Sequence, residues 1–525
     1  MSAAAAQAGL TIPLASDPQT LNPVFATDSA RQLLASLTMA DLMHINPSTL
    51  KVEPRLASAV VQLTPRRWIV HLRPHLQFSD GAPFTAADVA FSFRVYTDPR
   101  LATPERQLLT LAGKPVECRV LDALTVELDL PAPAAVGERL LDSVWMLPRH
   151  RLESVYRAGK LATAWGLDTP PADVVGLGPF RLAQVQPGRE IGLQRNPYYW
   201  SGAARLPWLR LPVIPDPNLR LTLFVRGKLD GLPTLSEEDG ARLQGRSCCR
   251  ILDAGPGLND EVLVLNQAPG PEAARTWFRL RVFRQALSLA LDRENLVRNV
   301  FGGRAAPLAS LTSPGNRAWA DPAPAPRADP GRAVQMLQQA GFQLRQGRLY
   351  DPKGRRVAFS LIVPATNAAR GRMAVYLQAD CARLGIAVHV TPLNFQSYLD
   401  RLLHRDDFDA ALVGIQIPDA DPNEESNIWP LDAPWHFWNP HPAHPAPWEA
   451  ELDRDFRLQQ QSVNLVRRRR LYRDIQDIEH ENLPLIPLVA PDVVVAARSG
   501  LDAVRPALLP PHLLWNVDQL NWGRR

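Results

Sequence analysis

Two aspartates lie two positions apart in a loop that follows an apolar stretch in the last quarter of the chain. In the segment FDAALVGIQIPDADPNEESNIW, residues 408–415 have the pattern of a strand, and Asp419 and Asp421 follow it. A carboxylate that is withdrawn from water needs a cation or several hydrogen-bond donors to be tolerated. The two residues therefore indicate either a site for a positively charged group or an Asx-rich turn, in which carboxylates bond the nearby backbone.

A second group of residues that could bind a ligand follows in the segment PWHFWNPHPAHPAPWE. Trp435 and Trp438 offer flat apolar surfaces, and Asn439 can hydrogen-bond a ligand backbone. Imidazole suits nickel or zinc, so the segment also permits a metal site, although the prolines interrupt the helix that would align its ligands. A proline-stiffened surface loop is the simpler alternative. The imidazoles concerned belong to His436, His441 and His444.

The sequence lacks the short motifs of the common hydrolases. It contains no G-x-S-x-G turn, no H-E-x-x-H pair and no G-x-x-x-x-G-K-[ST] loop. We therefore expect no enzyme activity and no cofactor. A peptide hydrolase stays open as a lower-ranked alternative, because catalytic residues can be dispersed along a chain.

A strand, a turn and a capped helix are predicted between residues 66 and 99. Trp68, Val70 and Leu72 share one face of the strand, and the segment SDGAPF that follows is rich in turn-forming residues. Thr85 and Asp88 have the spacing of a capping box, so a helix begins there. The carboxylates of Asp88 and of the turn residue Asp80 are expected to be structural.

Strands and helices alternate along most of the remaining chain. Hairpins are predicted within residues 118–130 and 176–200. Asp292 is predicted to cap a helix, and Asp329, Pro330 and Gly341 mark the two ends of another. The order of elements between residues 271 and 486 favours an α/β domain with a largely parallel sheet. The arginines at 467–470 lie in a helical pattern and are expected to form a solvated face.

Composition excludes several classes of protein. A chain of 525 residues with 46% hydrophobic residues is expected to fold into two or three domains. The formal charge of +5 is dispersed, which argues against a nucleic-acid partner. No apolar run is long enough to cross a bilayer, and the first residues lack the basic start and apolar centre of a secretory signal, so an exported protein would have lost its leader.

The four cysteines do not have the spacing of a zinc site. At this size no disulfide framework is needed. One bridge stays open in an exported protein, between Cys118 or Cys381 and either Cys248 or Cys249.

Several segments, in order and at fitting intervals, resemble the large extracellular solute-binding proteins of ABC importers. This family includes oligopeptide-, dipeptide- and nickel-binding proteins. The segments are SDPQTLNP, VEPRLASAVVQ, WIVHLRPHLQFSDGAPFTAADVAFSF, GLGPFRL, RNPYYW, RQALSLALDRENLV, AVQMLQQAGF and RRRLYRDIQDIEHENLPLIPL.

The resemblance implies a type II periplasmic-binding-protein fold of cluster C. Two α/β lobes joined by a hinge would be accompanied by an extra N-terminal α+β domain. Lobe I would comprise residues 1–35, 165–270 and 487–525, lobe II residues 36–164, and lobe III residues 271–486. A ligand would be trapped when lobes I and III close about the hinge.

The resemblance also implies a ligand and its partners. In family members that bind peptides, an aspartate of lobe III pairs with the peptide α-amine, and Asp419 is the first choice here, followed by Asp421. The loop is one residue shorter than is usual in the family. The other residues expected to bind ligand are Gln416, Trp435, Trp438, Asn439 and Asn22.

We therefore expect a monomeric peptide-binding protein, periplasmic or anchored outside the cell, that delivers its ligand to membrane permease subunits. A nickel chelate, haem or an oligosaccharide is the alternative ligand within the family.

Overall fold

The computed structural model describes residues 9–25, 28–142, 144–270, 272–440 and 442–523. The chain divides into two compact units. Unit 1 comprises residues 1–254 and 493–525, and unit 2 comprises residues 255–492. Each boundary falls within a strand, so the chain passes between the units in Cys249–Pro256 and again in Leu485–Arg498.

The first part of unit 1 alternates short strands with helices. The strands are β1 (Leu10–Thr11), β2 (Met43–Ile45), β3 (Val52–Pro54), β4 (Ala57–Thr64), β5 (Arg67–Leu72), β6 (Thr110–Leu111), β7 (Lys114–Pro115), β8 (Glu117–Asp122), β9 (Thr125–Asp129), β10 (Phe180–Gln186), β11 (Glu190–Arg195), β12 (Trp208–Pro212), β13 (Gly231–Leu232) and β14 (Cys249–Pro256). The helices are α1 (Ser29–Thr38), α2 (Ala86–Tyr96), α3 (Glu105–Leu108), α4 (Arg149–Arg157), α5 (Pro217–Val225) and α6 (Glu237–Leu243).

Unit 2 carries longer helices around a main sheet, and it also contains a separate two-stranded sheet. Its strands are β15 (Asn259–Leu265), β16 (Ala305–Pro307), β17 (Gln343–Arg345), β18 (Arg348–Tyr350), β19 (Ala358–Pro364), β20 (Ala387–Leu393) and β21 (Ala410–Gln416). Its helices are α7 (Ala273–Phe278), α8 (Arg281–Ala290), α9 (Arg293–Val300), α10 (Pro330–Gln339), α11 (Ala368–Arg383), α12 (Phe395–Leu403), α13 (Pro447–Gln461) and α14 (Leu465–Asn482). The long strand β22 (Leu485–Arg498) leads back to unit 1, which ends with β23 (Leu501–Asp502) and β24 (Asn521–Trp522).

Two four-stranded sheets organise unit 1. One has the order β1-β12-β11-β10, with β1 parallel to β12, and the other is the antiparallel sheet β4-β5-β9-β8. Both predicted hairpins are confirmed, as β8–β9 and β10–β11. One continuous apolar core includes side chains from both sheets, among them Val70, Leu128, Leu193 and Leu209.

The predicted strand, turn and capped helix near residue 80 are confirmed. Trp68, Val70 and Leu72 are the buried side chains of β5. The Asp88 carboxylate accepts hydrogen bonds from Thr85 N at 2.9 Å and Thr85 Oγ1 at 3.0 Å, which satisfies the backbone where α2 begins. Asp80 accepts from the Arg151 guanidinium at 3.0 Å. Both carboxylates thus hold the fold together.

The segment GLGPF requires its glycines because it packs against the end of α1. A Cβ atom on Gly176 would lie 2.0 Å from the carbonyl oxygen of Thr38, and one on Gly178 would lie 2.5 Å from that of Leu37. Any side chain at either position would therefore force the strand and helix apart.

The sheet of unit 2 is mixed, so the expectation of a largely parallel sheet was only partly right. Strand β19 is parallel to both β20 and β21, as the alternating order predicted. Strand β15, however, is antiparallel to both β21 and β22. The reason is that β15 and β22 connect to unit 1 rather than through a crossover helix of unit 2, so neither is held to the βαβ pattern.

The apolar core of unit 2 lies between this sheet and its helices. Phe283 of α8 and Met373 of α11 pack there with Leu361 and Leu412 of the sheet. The caps predicted for α9 and α10 are confirmed, because Asp292 accepts from Asn295 N and Asp329 from Arg332 N. Gly341 follows α10 with a φ of +87°, where a side chain would be strained.

Three further expectations concern the lobes, the cysteines and membrane-spanning segments. The predicted lobes I and II fall within unit 1, apart from residues 255–270 and 487–492, so the division into three lobes stays a prediction. All four cysteines are free thiols. Among the described residues, no helix combines the length and the apolar character needed to cross a bilayer.

Candidate ligand site

The acidic loop, residues 417–421, leaves the end of an inner strand of unit 2. Strand β21 lies between β15 and β19, and Gln416 is its exposed last residue, opposite Asn259. A short 3-10 helix, Pro422–Asn427, begins directly after the loop. Asp421 caps this helix, because its Oδ1 accepts a hydrogen bond from Asn423 N at 3.0 Å.

Asp421 forms a two-bond ion pair with Arg468 of α14. Arg468 Nη2 lies 2.7 Å from Asp421 Oδ1, and Nη1 lies 3.0 Å from Oδ2. Both side chains are buried, and the guanidinium also donates to Gln459 Oε1 at 3.0 Å and lies over the ring of Trp319. The negative charge of Asp421 is therefore matched within unit 2 by a permanent cation.

The backbone on both sides of Asp419 is anchored. Ile417 N donates to Leu258 O at 3.1 Å, and Asn316 Nδ2 donates to Ala420 O at 2.9 Å. The side chain of Asp419 is only 8% exposed. Its position is thus defined by bonds to two other segments, as a ligand-positioning residue requires. Its contact with a ligand stays a prediction.

Three carboxyl groups lie in the interior of the same unit, and within the described residues no guanidinium or ammonium group is bonded to them. Glu425 accepts hydrogen bonds from Tyr472 Oη and Trp429 Nε1, which are neutral donors. Neither carboxylate oxygen of Asp260 has a hydrogen-bond partner among the described residues. Burial raises the pKa of Glu425 to about 7, and burial together with the charge of Glu425 raises the pKa values of Asp260 and Glu479 well above their usual range.

The aromatic segment is organised around Glu449 of α13. Its Oε1 accepts from Trp438 Nε1 at 3.1 Å, and both of its oxygens accept from Asn439 Nδ2. The buried His436 ring lies 3.9 Å from the ring of Trp438. Burial raises the pKa of Glu449, but the nearby His436, whose Nε2 lies 3.9 Å from Oε1, and the bonds from Asn439 outweigh it, and the pKa lies below its ordinary value.

Trp435 and Trp438 are placed differently. Trp438 is fully buried, whereas Trp435 is partly exposed and stacks on Phe437 at an interplanar angle of 12°. Trp435 thus keeps some accessible surface, as a ligand contact requires, and Trp438 supports the segment from within. The ligand roles of both stay predictions.

Asn22 belongs to unit 1 and is buried. Its Nδ2 donates to Leu161 O at 2.9 Å, and its Oδ1 accepts from Val24 N at 3.1 Å. These bonds hold the turn-rich loop against the segment near residue 161. The side-chain amide of Asn22 thus bonds backbone groups, and its contact with a ligand stays a prediction.

The metal hypothesis for the histidine segment requires several metal-binding side-chain atoms that lie close together. In the described part of the chain, one group brings three metal-binding atoms within 4.8 Å of one another, and it consists of Asp41, His44 and Asp142 of unit 1. His436 and His444 belong to no such group there, and His441 lies outside the described residues.

Sequence reasoning missed the partners of the acidic loop. The expectation of a solvated arginine face was right for Arg467, Arg469 and Arg470 but wrong for Arg468, which is 3% exposed. The spacing of residues along the helix could have identified Arg468 as buried. Arg468, Tyr472, Ile475 and Glu479 recur at the intervals of one helix face, and all four are buried.

Comparison with known proteins decides the family. The chain matches the model of the bacterial extracellular solute-binding proteins, family 5 (middle), over residues 51–436, which is more than half of its length. The chain belongs to this family. Its fold is the type II periplasmic-binding-protein fold, as the resemblance implied.

Among curated relatives, a probable ABC transporter-binding protein of Deinococcus radiodurans is 24% identical, with 91% of this chain and 86% of the relative covered. The peptide transport periplasmic protein SapA of Salmonella typhimurium is 25% identical, with 87% of this chain and 82% of SapA covered. Heme-binding protein A of Haemophilus influenzae is 24% identical, with 85% and 80% covered.

Solved structures show the same fold. The substrate-binding protein CtaP of Listeria monocytogenes superposes with a TM-score of 0.84 at 21% identity, covering 99% of this chain and 100% of CtaP. The oligopeptide-binding protein AppA of Bacillus subtilis, solved with a nonapeptide, superposes with a TM-score of 0.73 at 21% identity, with 99% of each chain covered.

Proposed function

We propose that this family member is the ligand-binding component of an ABC importer and that its ligands are peptides. Membership of the solute-binding family, over residues 51–436, carries the proposal. Two relatives support the ligand class, because SapA is named for peptide transport and AppA was solved with a nonapeptide. Closure of the lobes on the ligand, which the resemblance implied, belongs to the same proposal.

Within the acidic loop we assign the peptide α-amine to Asp419. The neighbouring Asp421 already shares two hydrogen bonds with Arg468 and caps the helix that follows, so it acts as framework. Of the other predicted residues in unit 2, Gln416 is exposed and Trp435 is partly exposed. An amide can bond a peptide backbone and a ring face can pack against varied side chains, which suits a ligand of variable sequence.

Trp438 and Asn439 fit a supporting role better than a direct one. Both donate to Glu449, and this arrangement fixes the segment that carries Trp435. Replacing either residue is therefore expected to disturb the ligand surface through Glu449.

The same proposal covers the protein's partners. A solute-binding protein of this family delivers its ligand to permease subunits in the membrane, works outside the cytoplasm and performs no chemistry on the ligand. We propose that this chain does so as a monomer.

Native mass spectrometry of gently purified protein tests the ligand class. We expect short peptides to be retained by the wild-type chain and lost from Asp419→Asn. The control Asp432→Asn, which changes an exposed carboxylate between the acidic loop and Trp435, is expected to retain them. Retention of haem, a nickel chelate or an oligosaccharide in place of peptides would contradict the peptide assignment. Turnover of added peptides that survives repurification would contradict a purely binding role.

A further inference from the structure

Asp41, His44 and Asp142 form a compact group in unit 1 that the proposed function does not use. Asp41 precedes β2, His44 is the middle residue of β2, and Asp142 directly follows the 3-10 helix Gly137–Leu141. His44 Nδ1 lies 3.3 Å from Asp41 Oδ2 and 3.3 Å from Asp142 Oδ1. Two carboxylates thus approach one ring nitrogen at equal distance.

These distances are long for charge-assisted hydrogen bonds. A charge-assisted N–H···O bond has a heavy-atom distance of about 2.7 to 2.9 Å, and the single Nδ1–H of His44 would have to be shared between two carboxylates. Ligands about 2.0 to 2.2 Å from a tetrahedral zinc ion lie roughly 3.3 to 3.5 Å from one another. The observed separations have the length of such an edge.

The two carboxylates are held in place by bonds that leave this arrangement intact. Asp142 Oδ1 accepts from Ile45 N at 2.8 Å, which ties it to β2. Arg55 contacts Asp41 through the other carboxylate oxygen, Oδ1, at 3.4 Å, so Oδ2 is the atom that faces His44. Bonds of this kind to ligating carboxylates are usual around metal sites, where they fix the orientation of the ligand.

The three side chains of this group differ in how far they are buried. The side chain of Asp41 is fully buried, that of Asp142 is 18% exposed and that of His44 is 32% exposed. A metal ion at this position would reach the protein surface on the His44 side and keep one coordination position for water. Three protein ligands and one open position are a common arrangement for zinc.

We propose that Asp41, His44 and Asp142 form a binding site for a divalent transition metal of the zinc type. Two carboxylates neutralise the charge of the ion, and imidazole favours zinc, nickel and copper over magnesium or calcium. The ion would join β2 to a segment almost one hundred residues later, so it would stabilise this part of unit 1.

Cobalt(II) absorption of the metal-stripped full chain tests the proposal. We expect one equivalent of Co²⁺ to give the intense visible bands of low-coordinate cobalt and Zn²⁺ to displace it. His44→Gln is expected to weaken Co²⁺ and Zn²⁺ binding by about 100-fold or more, because loss of even an outer partner of a metal ligand costs roughly 10- to 100-fold. Asp142→Asn is expected to weaken binding similarly, and circular dichroism shows that each variant is folded.

Two control variants make the test specific. His150 contacts the single carboxylate of Asp80 at 2.9 Å without a second acid in an equivalent position among the described residues, so His150→Gln is expected to bind Co²⁺ normally. His444→Gln, which changes an exposed histidine of unit 2, is expected to do the same. Absence of Co²⁺ and Zn²⁺ binding at micromolar concentration, or unchanged binding by folded His44→Gln and Asp142→Asn, would overturn the proposal.

Discussion

Asp421 and Glu425 lie four residues apart at one short helix, but their carboxyl groups have different hydrogen-bond partners. Both are buried, with 4% and 3% of their surface exposed. Asp421 shares two hydrogen bonds with the guanidinium of Arg468. Glu425 receives only the neutral hydroxyl of Tyr472 and the indole N–H of Trp429 among the described residues.

The difference shows two solutions to the cost of burying a carboxylate. A fixed cation keeps the charge and makes the fold depend on both partners. Without a cation, burial raises the pKa of Glu425 to about 7, so the group takes up a proton instead. The first solution suits a rigid frame beside the acidic loop. The second makes the interior of unit 2 sensitive to pH.

The largest effect is expected from breaking the paired site. Arg468→Met leaves Asp421 charged and buried, which costs about 3 to 5 kcal/mol in the free energy of unfolding. Arg469→Met, on the exposed face of the same helix, is the matched control and is expected to change stability by less than about 0.5 kcal/mol. Denaturant unfolding followed by tryptophan fluorescence measures both.

A double variant separates the ion pair from the packing of Arg468. Adding Asp421→Asn to Arg468→Met removes the stranded charge, so much of the lost stability should return. A double variant no more stable than Arg468→Met alone would show that the pair is not the source of the effect.

A smaller effect is expected at the unpaired site, and it depends on pH. The pKa of Glu425 is about 7 in the folded chain against an ordinary value of 4.5. The folded state therefore holds a proton that the unfolded state releases, and the stability from this group is present below pH 4.5 and lost as the pH rises through 7. Glu425→Gln should remove roughly 1 to 3 kcal/mol of this decline.

The Glu425→Gln variant is expected to keep the local hydrogen bonds. The new amide N–H can donate to Tyr472 Oη, because Tyr472 Oη lies 2.8 Å from Thr312 Oγ1 and can donate its own proton there. Glu451→Gln, at an exposed carboxylate of α13, is the control and should leave the pH profile unchanged. Unfolding curves at pH 5 and pH 8 measure the slope. Equal slopes for the wild-type chain and Glu425→Gln would show that the proton is held elsewhere.

The sequence predicted those features of the fold that have local causes. The capping box of Thr85 and Asp88, the helix ends at Asp329 and Gly341, and the alternation of Trp68 and Val70 each depend on neighbours within one turn or one strand. The direction of β15 could not be predicted in the same way. It depends on where the chain enters the sheet from unit 1, which no local pattern records.

The candidate site was predictable only in part, for a related reason. Asp419 and Asp421 stand out because two aspartates and a proline follow a strand, but Arg468 lies 47 residues from its partner and is hidden in a run of four arginines. Only the periodicity of the helix face distinguishes it from its neighbours. The supporting bonds to Glu449 likewise connect two segments whose pairing no single motif reveals.

The central claim, that the acidic loop binds the amino terminus of a peptide, can be tested directly with one pair of ligands. Native mass spectrometry compares a pool of short synthetic peptides with free amino termini and the same pool after N-acetylation. We expect the wild-type chain to retain the free peptides, to retain the acetylated pool at least about 10-fold less because a charged hydrogen bond is lost, and to lose this discrimination in Asp419→Asn. Equal retention of the two pools by the wild-type chain, or no retention of either, would contradict the claim.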